Sequence, residues 1–114
     1  MEDPGAEPLR VNELTGAEGG VWRIITRDST HYIDLDLGTV TRVPGINAPQ
    51  TINDRTRPLR TIDVLRVGSR GEWTMCTDGP DFAIDFFWAN TSVVSRIEAI
   101  SRDQLPGAGG AVAH

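Results

Sequence analysis

The chain has 114 residues and a formal net charge of −5 at pH 7, so it supports one domain with one modest core, and its balance argues against a general nucleic-acid binder. Its single cysteine, Cys76, excludes an intrachain disulfide and a cysteine-based zinc site. No apolar run approaches the roughly 20 residues that span a membrane, and the opening M-E-D-P-G-A-E-P has no signal-peptide core, so a cytoplasmic protein is expected.

Residues 1–19 hold two prolines, three glycines and five acids, and read as an acidic disordered arm. Leu9, Val11 and Leu14 offer an alternative in which this arm docks on the domain. Residues 1–20 carry a net −4, with Arg10 the one base, so the rest of the chain is nearly neutral. All eleven basic residues are arginine, a bias that a GC-rich genome explains.

Residues 21–43 read as three antiparallel strands joined by two tight turns. With Asp28-Ser29 as a two-residue turn, Ile24 lies opposite Ile33, Trp22 opposite Leu35 and Thr26 opposite His31, all on one face. The other face then pairs Arg23 with Asp34 and Ile25 with Tyr32, pairs worth roughly 0.2–1 kcal/mol each. A second turn at Leu37-Gly38 sets Val40 opposite Leu35, with Gly38 supplying a positive φ. His31 reads as a structural residue at a strand end, because Asp34 points to the opposite face. Asp34 and Asp36 read as a solvated strand face rather than a cation site.

Residues 44–58 contain three prolines and read as a long loop. From Arg42 to Arg70 six arginines face two acids, a local +4 in an acidic chain. This region is either a solvated loop or a site for an acidic partner, a phosphate or a nucleic-acid strand.

Residues 59–67 form a further strand, whose imperfect alternation suits a central position or a bulge. After the turn at 68–71, residues 72–76 form a short strand with Trp73 and Met75 on one face. Residues 82–88 alternate so that Phe82, Ile84, Phe86 and Trp88 face one way and Phe87 the other; Phe82, Ile84 and Phe86 read as core, and Phe87 as core or a surface aromatic. A turn at Asn90-Thr91 leads to residues 92–100, which favour a strand over a helix on their β-branched content. Residues 102–114 are Gly/Ala-rich and read as a disordered tail.

The residues W-R-I-I-T-R-D-S-T-H-Y-I-D-L-D, then T-V-T-R-V-P-G and T-S-V-V-S-R-I-E, resemble small uncharacterised β-rich proteins of GC-rich actinobacteria and their phages. The resemblance covers residues 20–100. It implies fold and provenance, and it brings no activity or site residues.

The sequence thus predicts a mainly β domain over residues 20–101, a small antiparallel barrel or curled sheet of six to seven strands between disordered ends. No metal set, no nucleophile–base–orienter set, no phosphate cradle and no cofactor motif is recognisable. The expected function is non-enzymatic binding of another macromolecule, a protein, through the arginine loop. The candidate binding residues are Arg42, Arg55, Arg57, Arg60, Trp73 and Phe87. The alternatives are a nucleic-acid-binding barrel and a small-ligand barrel; a homodimer through a sheet edge is a further option.

Overall fold

The computed structural model describes residues 9–45, 56–76 and 86–106. It contains β1 (Arg10–Val11), β2 (Val21–Thr26), β3 (Ser29–Asp34), β4 (Thr39–Pro44), β5 (Arg57–Val64), β6 (Arg70–Cys76), β7 (Phe86–Ala99) and a 3₁₀ turn at Arg102–Gln104. The sheet order is β1-β7-β2-β3-β4-β5-β6, every pairing is antiparallel, and a β6–β7 pairing closes the strands into a ring. The expected mainly β antiparallel fold is therefore present, with seven strands.

The first hairpin keeps the expected faces but not the expected register. Trp22 lies opposite Ile33 and Ile24 opposite His31, so each β2 residue meets a partner two positions earlier than predicted. The turn is Arg27-Asp28. The Thr26 hydroxyl closes it by donating to the Ser29 carbonyl (3.0 Å) and accepting the Ser29 N–H (3.2 Å). That local bond draws Ser29 out of the turn and into β3. A two-residue slip leaves every side chain on its original face, because the strand period is two.

The second turn shifts likewise. Asp34 pairs with Thr39, leaving Leu35 to Gly38 as a four-residue turn. The Asp34 carboxylate accepts the N–H groups of Asp36 and Leu37, both at 3.0 Å. Gly38 takes φ 72°, as its place in the turn requires. Asp34 is only 1% exposed, so the expected solvated Asp34–Asp36 face and the Arg23–Asp34 pair are both replaced. Arg23 instead reaches Glu98 across β2 and β7, with Nη2 to Oε1 at 2.6 Å.

Strand β5 carries two register irregularities against β6, between Leu59 and Thr61 and between Ile62 and Val64. The bulges explain its broken alternation. Strand β7 runs through the predicted Asn90-Thr91 turn without stopping. Its first half pairs with β6 and its second half with β2 and β1. An irregularity opposite Arg70–Glu72 marks the change, and there the Thr91 hydroxyl accepts the Gly71 N–H at 2.9 Å. Residues 92–99 are strand, not helix.

The face of β7 is opposite to the expected one. Ala89 and Phe87 turn inward and Trp88 is 62% exposed. The cause lies across the strand pair. Trp73 is buried opposite Ala89, and its indole occupies the interior that a second large side chain would need. Phe82 and Ile84 lie outside the described residues.

The ends also differ from expectation. Arg10 and Val11 pair with Glu98 and Ile97, and the Leu14 N–H donates to the Leu65 carbonyl at 2.9 Å. Leu14 is 1% exposed within the core formed by Trp22, Ile24, Ile33, Leu65, Trp73 and their neighbours. Residues 10–14 thus bridge β7 to the β5–β6 turn and belong to the domain. Burial of the Leu14 side chain, worth about 1.5–3 kcal/mol, adds to the strand pairing of Arg10 and Val11 and the Leu14–Leu65 bond against an ordering cost of about 1–2 kcal/mol per residue. At the other end, Arg102 reaches back to Asp34, so the domain extends past residue 101.

Candidate ligand-binding cleft

The β2–β3 turn, the end of β4 and the middle of β7 meet at one end of the ring. Between them lies a cleft of about 190 Å³. Ser29, His31 and Arg42 form one wall, Ala89, Asn90, Thr91 and Ser92 the other, and Asp28 stands beside them.

Strand alternation explains the first wall. Ile33, His31 and Ser29 share the inward face of β3, and their β4 partners Val40, Arg42 and Pro44 share it too. His31 and Arg42 are directly opposite each other. The sequence changes from apolar to polar along these two strands, so the interior changes from core to cleft.

Two contacts orient His31. Its ring meets Trp73 edge-on, with centroids 5.0 Å apart and planes at 82°. Its Nε2 lies 2.8 Å from the Ser29 hydroxyl. A run of hydroxyls continues from there: Ser29 to Thr26 at 3.2 Å, and Ser92 donating to Thr26 at 3.1 Å. The Ser92 hydroxyl also accepts the Asp28 N–H at 3.3 Å, which ties the hairpin tip to β7 across 64 residues. Each bond of this kind contributes about 0.5–1.5 kcal/mol net. Together they hold the walls at a set spacing.

The charge of Asp28 is balanced locally. The hydrogen bond from Arg27, 3.1 Å away, holds its carboxyl below the usual range; desolvation opposes it, and the Arg27 charge, Ser92 and Arg42 add to the lowering.

Arg42 is the one predicted binding residue that lines this cleft. Arg57 is 5% exposed, with its guanidinium 4.6 Å from the centre of the Phe87 ring. Its strand partner is the core residue Val40, so alternation turns it inward. Phe87 is half-buried against the core, and Trp73 is core. The reading of Trp73 and Phe87 as binding residues is corrected accordingly: both lie on the inward faces of a closed ring. Arg60 is exposed on β5, and Arg55 lies outside the described residues.

Sequence reading missed Ser29, Asn90, Thr91 and Ser92. A signal was present for Ser29, since it stands two residues before His31 and so shares its face once the turn moves to Arg27-Asp28. The residues on β7 gave no such signal, because their place opposite the hairpin tip is tertiary.

Comparisons of the chain with protein-family models, curated proteins and solved structures find no match. No helix among the described residues is long and apolar enough to cross a membrane.

Proposed function

We propose that this chain is a small non-enzymatic binding module that acts on another protein, and that it does so at the hairpin end of the ring. The observation that carries this reading is the size and chemistry of the cleft. At about 190 Å³ it is smaller than the roughly 300–1,000 Å³ typical of sites that enclose a whole small molecule. Its walls are hydrogen-bonding side chains on strands. Such a site suits one functional group at the end or side of a larger partner. Trp88, exposed on β7 beside it, supplies the kind of aromatic area that interfaces favour.

Nucleic-acid binding is the second reading, and Arg42 with Arg60 favours it. It loses Trp73 and Phe87 as surface aromatics on which bases could stack, since both face inward.

The test is affinity capture from the source cell with the native chain and an Asn90→Trp variant. Asn90 is exposed and borders the cleft, so the new indole stands at its mouth without entering the core. A partner retained by the native chain and lost by the variant supports the reading. Retention of the partner by the variant overturns it. Capture of nucleic acid, lost steeply with salt, favours the second reading.

A further inference from the structure

We infer that Ser29 is an acylation site: its hydroxyl, paired with His31, takes a short acyl group from an ester or thioester that enters the cleft. This goes beyond the proposed function and does not rest on it, since a partner can bind at the hairpin end whether or not Ser29 reacts.

The first argument is where the Ser29 proton goes. A hydroxyl has one proton to give and two lone pairs that accept. Thr26 gives its proton to the Ser29 carbonyl, and its lone pairs receive the Ser29 N–H and the Ser92 hydroxyl. The Thr26 oxygen is therefore filled, although it lies 3.2 Å from Ser29 Oγ. His31 Nε2 is closer, at 2.8 Å, and a neutral imidazole can accept there. The network thus assigns the tautomer with Nε2 unprotonated, and Ser29 donates to it. A serine nucleophile and its general base meet in this way, at about 2.6–3.2 Å.

The second argument is position. Ser29 and His31 are 7% and 3% exposed, and both line the cleft. Trp73 holds the imidazole edge-on, so packing orients the base as a carboxylate does in a catalytic triad. Asn90 stands on the opposite wall, and its side-chain N–H groups suit a developing oxyanion. A cleft of about 190 Å³ suits a short acyl group.

In the proposed step Ser29 Oγ bonds to the carbonyl carbon while its proton passes to His31 Nε2. The carbonyl electron pair moves onto oxygen. When it returns, the bond to the leaving oxygen or sulfur breaks, and His31 gives that atom the proton. The products are acyl-Ser29 and a free alcohol or thiol, with His31 neutral again. One transfer per chain is proposed, which marks the binding module without turnover.

The experiment uses the full chain and p-nitrophenyl acetate. Absorbance follows release of the phenolate, and peptide mass mapping places the acetyl group. The chain has no lysine, so the competing nucleophiles are few: the N-terminal amine, Tyr32, Cys76 and His114. Ser29 is expected to be acetylated more than tenfold faster than any of them. Its rate should fall on acidification as one proton binds, across a range where the circular dichroism of the fold is unchanged. His31→Gln keeps an acceptor for the Ser29 hydroxyl but no base, and should slow labelling of Ser29 more than tenfold. Ser29→Ala should lose the label. Both residues are buried, so if either variant unfolds, the map and pH dependence of the native chain decide. Acetyl found only at the competing groups, or none at all, overturns the inference. Equal labelling of Ser29 in folded His31→Gln, or a rate in the native chain indifferent to pH, overturns the role of His31 and the inference with it.

Discussion

Asp34 and Arg102 are 68 positions apart in sequence and joined in the fold, the Arg102 guanidinium donating to both oxygens of a carboxylate that is 1% exposed. The same guanidinium reaches Asp36, whose Oδ1 accepts the Gly20 N–H at 2.9 Å. One side chain of the 3₁₀ turn thus ties the β3–β4 turn to the C-terminal end. Burial pushes the Asp34 carboxyl up, but Arg102 and the N–H groups of Leu37 and Asp36 outweigh it and hold the group below its usual range.

A pH dependence follows. A carboxyl whose folded pKa is depressed adds stability that is fully present above its unfolded value of about 3.9. That stability is lost as pH falls through the lower folded value. Glu18 acts in the same direction: burial raises it, and the N–H groups of Thr15 and Gly16 more than compensate. The midpoint of thermal unfolding should stay nearly flat from pH 7 to pH 5 and fall below pH 4. In Asp34→Asn the acid limb should be shallower. An unchanged acid limb would show that Asp34 is not held as described.

The domain boundaries make a second prediction. A chain cut to residues 19–101 loses Val11, Leu14 and Arg102 together. It should unfold at markedly lower urea than the full chain. Leu14→Ala alone should cost about 2–5 kcal/mol, the range for truncating a buried leucine. Removing residues 1–8 serves as the control for simple shortening. Equal urea midpoints for the full and 19–101 chains would return residues 10–14 to the role of a passive arm.

Gly71 provides a test of the interior around Trp73. A Cβ at Gly71 would lie 2.8 Å from Trp73 Cζ3 and 3.1 Å from the Thr91 hydroxyl. Gly71→Ala should therefore destabilise by about 1–3 kcal/mol through overpacking. It should also disturb Thr91, which accepts the Gly71 N–H, and so widen or close the cleft. Chemical denaturation gives the first effect, and the NMR shifts of Asn90 to Ser92 give the second.

Period-two alternation made much of the fold legible. Trp22, Ile24, Ile33 and Val40 read as one inward face, and they form one. The turns were less legible, because Thr26 and Asp34 cap their own backbone and move each turn by one local bond. The phase of β7 was illegible for a different reason. Both Phe87 and Trp88 suit a core, and the choice is made by Trp73 on the neighbouring strand. Of the candidate site, Arg42 was read and Ser29 was readable from its spacing to His31, while the β7 wall was not, since it comes from a segment more than forty residues away.

The arginines separate by what they touch, and this yields the last prediction. Read as one loop, Arg55, Arg57 and Arg60 should behave alike. In the fold they do not share an environment. Arg57 is buried over Phe87, a desolvated cation–π contact worth about 2 kcal/mol or more. Its aliphatic stem also packs inside the ring, so Arg57→Ala removes packing as well as charge. Arg57→Ala should thus lower the unfolding midpoint substantially. Arg60→Ala, on an exposed stretch of β5, should leave it within about 0.5 kcal/mol of the native chain. Arg42→Gln should also leave the melt close to native, because the side chain is half-exposed and its amide keeps donors toward the cleft. Partner capture should then follow a different order from stability: Arg42→Gln loses the partner, Arg60→Ala keeps it, and Arg57→Ala loses it only as far as it unfolds. Three melts and three captures at one salt concentration measure this. Loss of the partner in folded Arg60→Ala, with Arg42→Gln binding normally, would move the interface to the exposed side of β5.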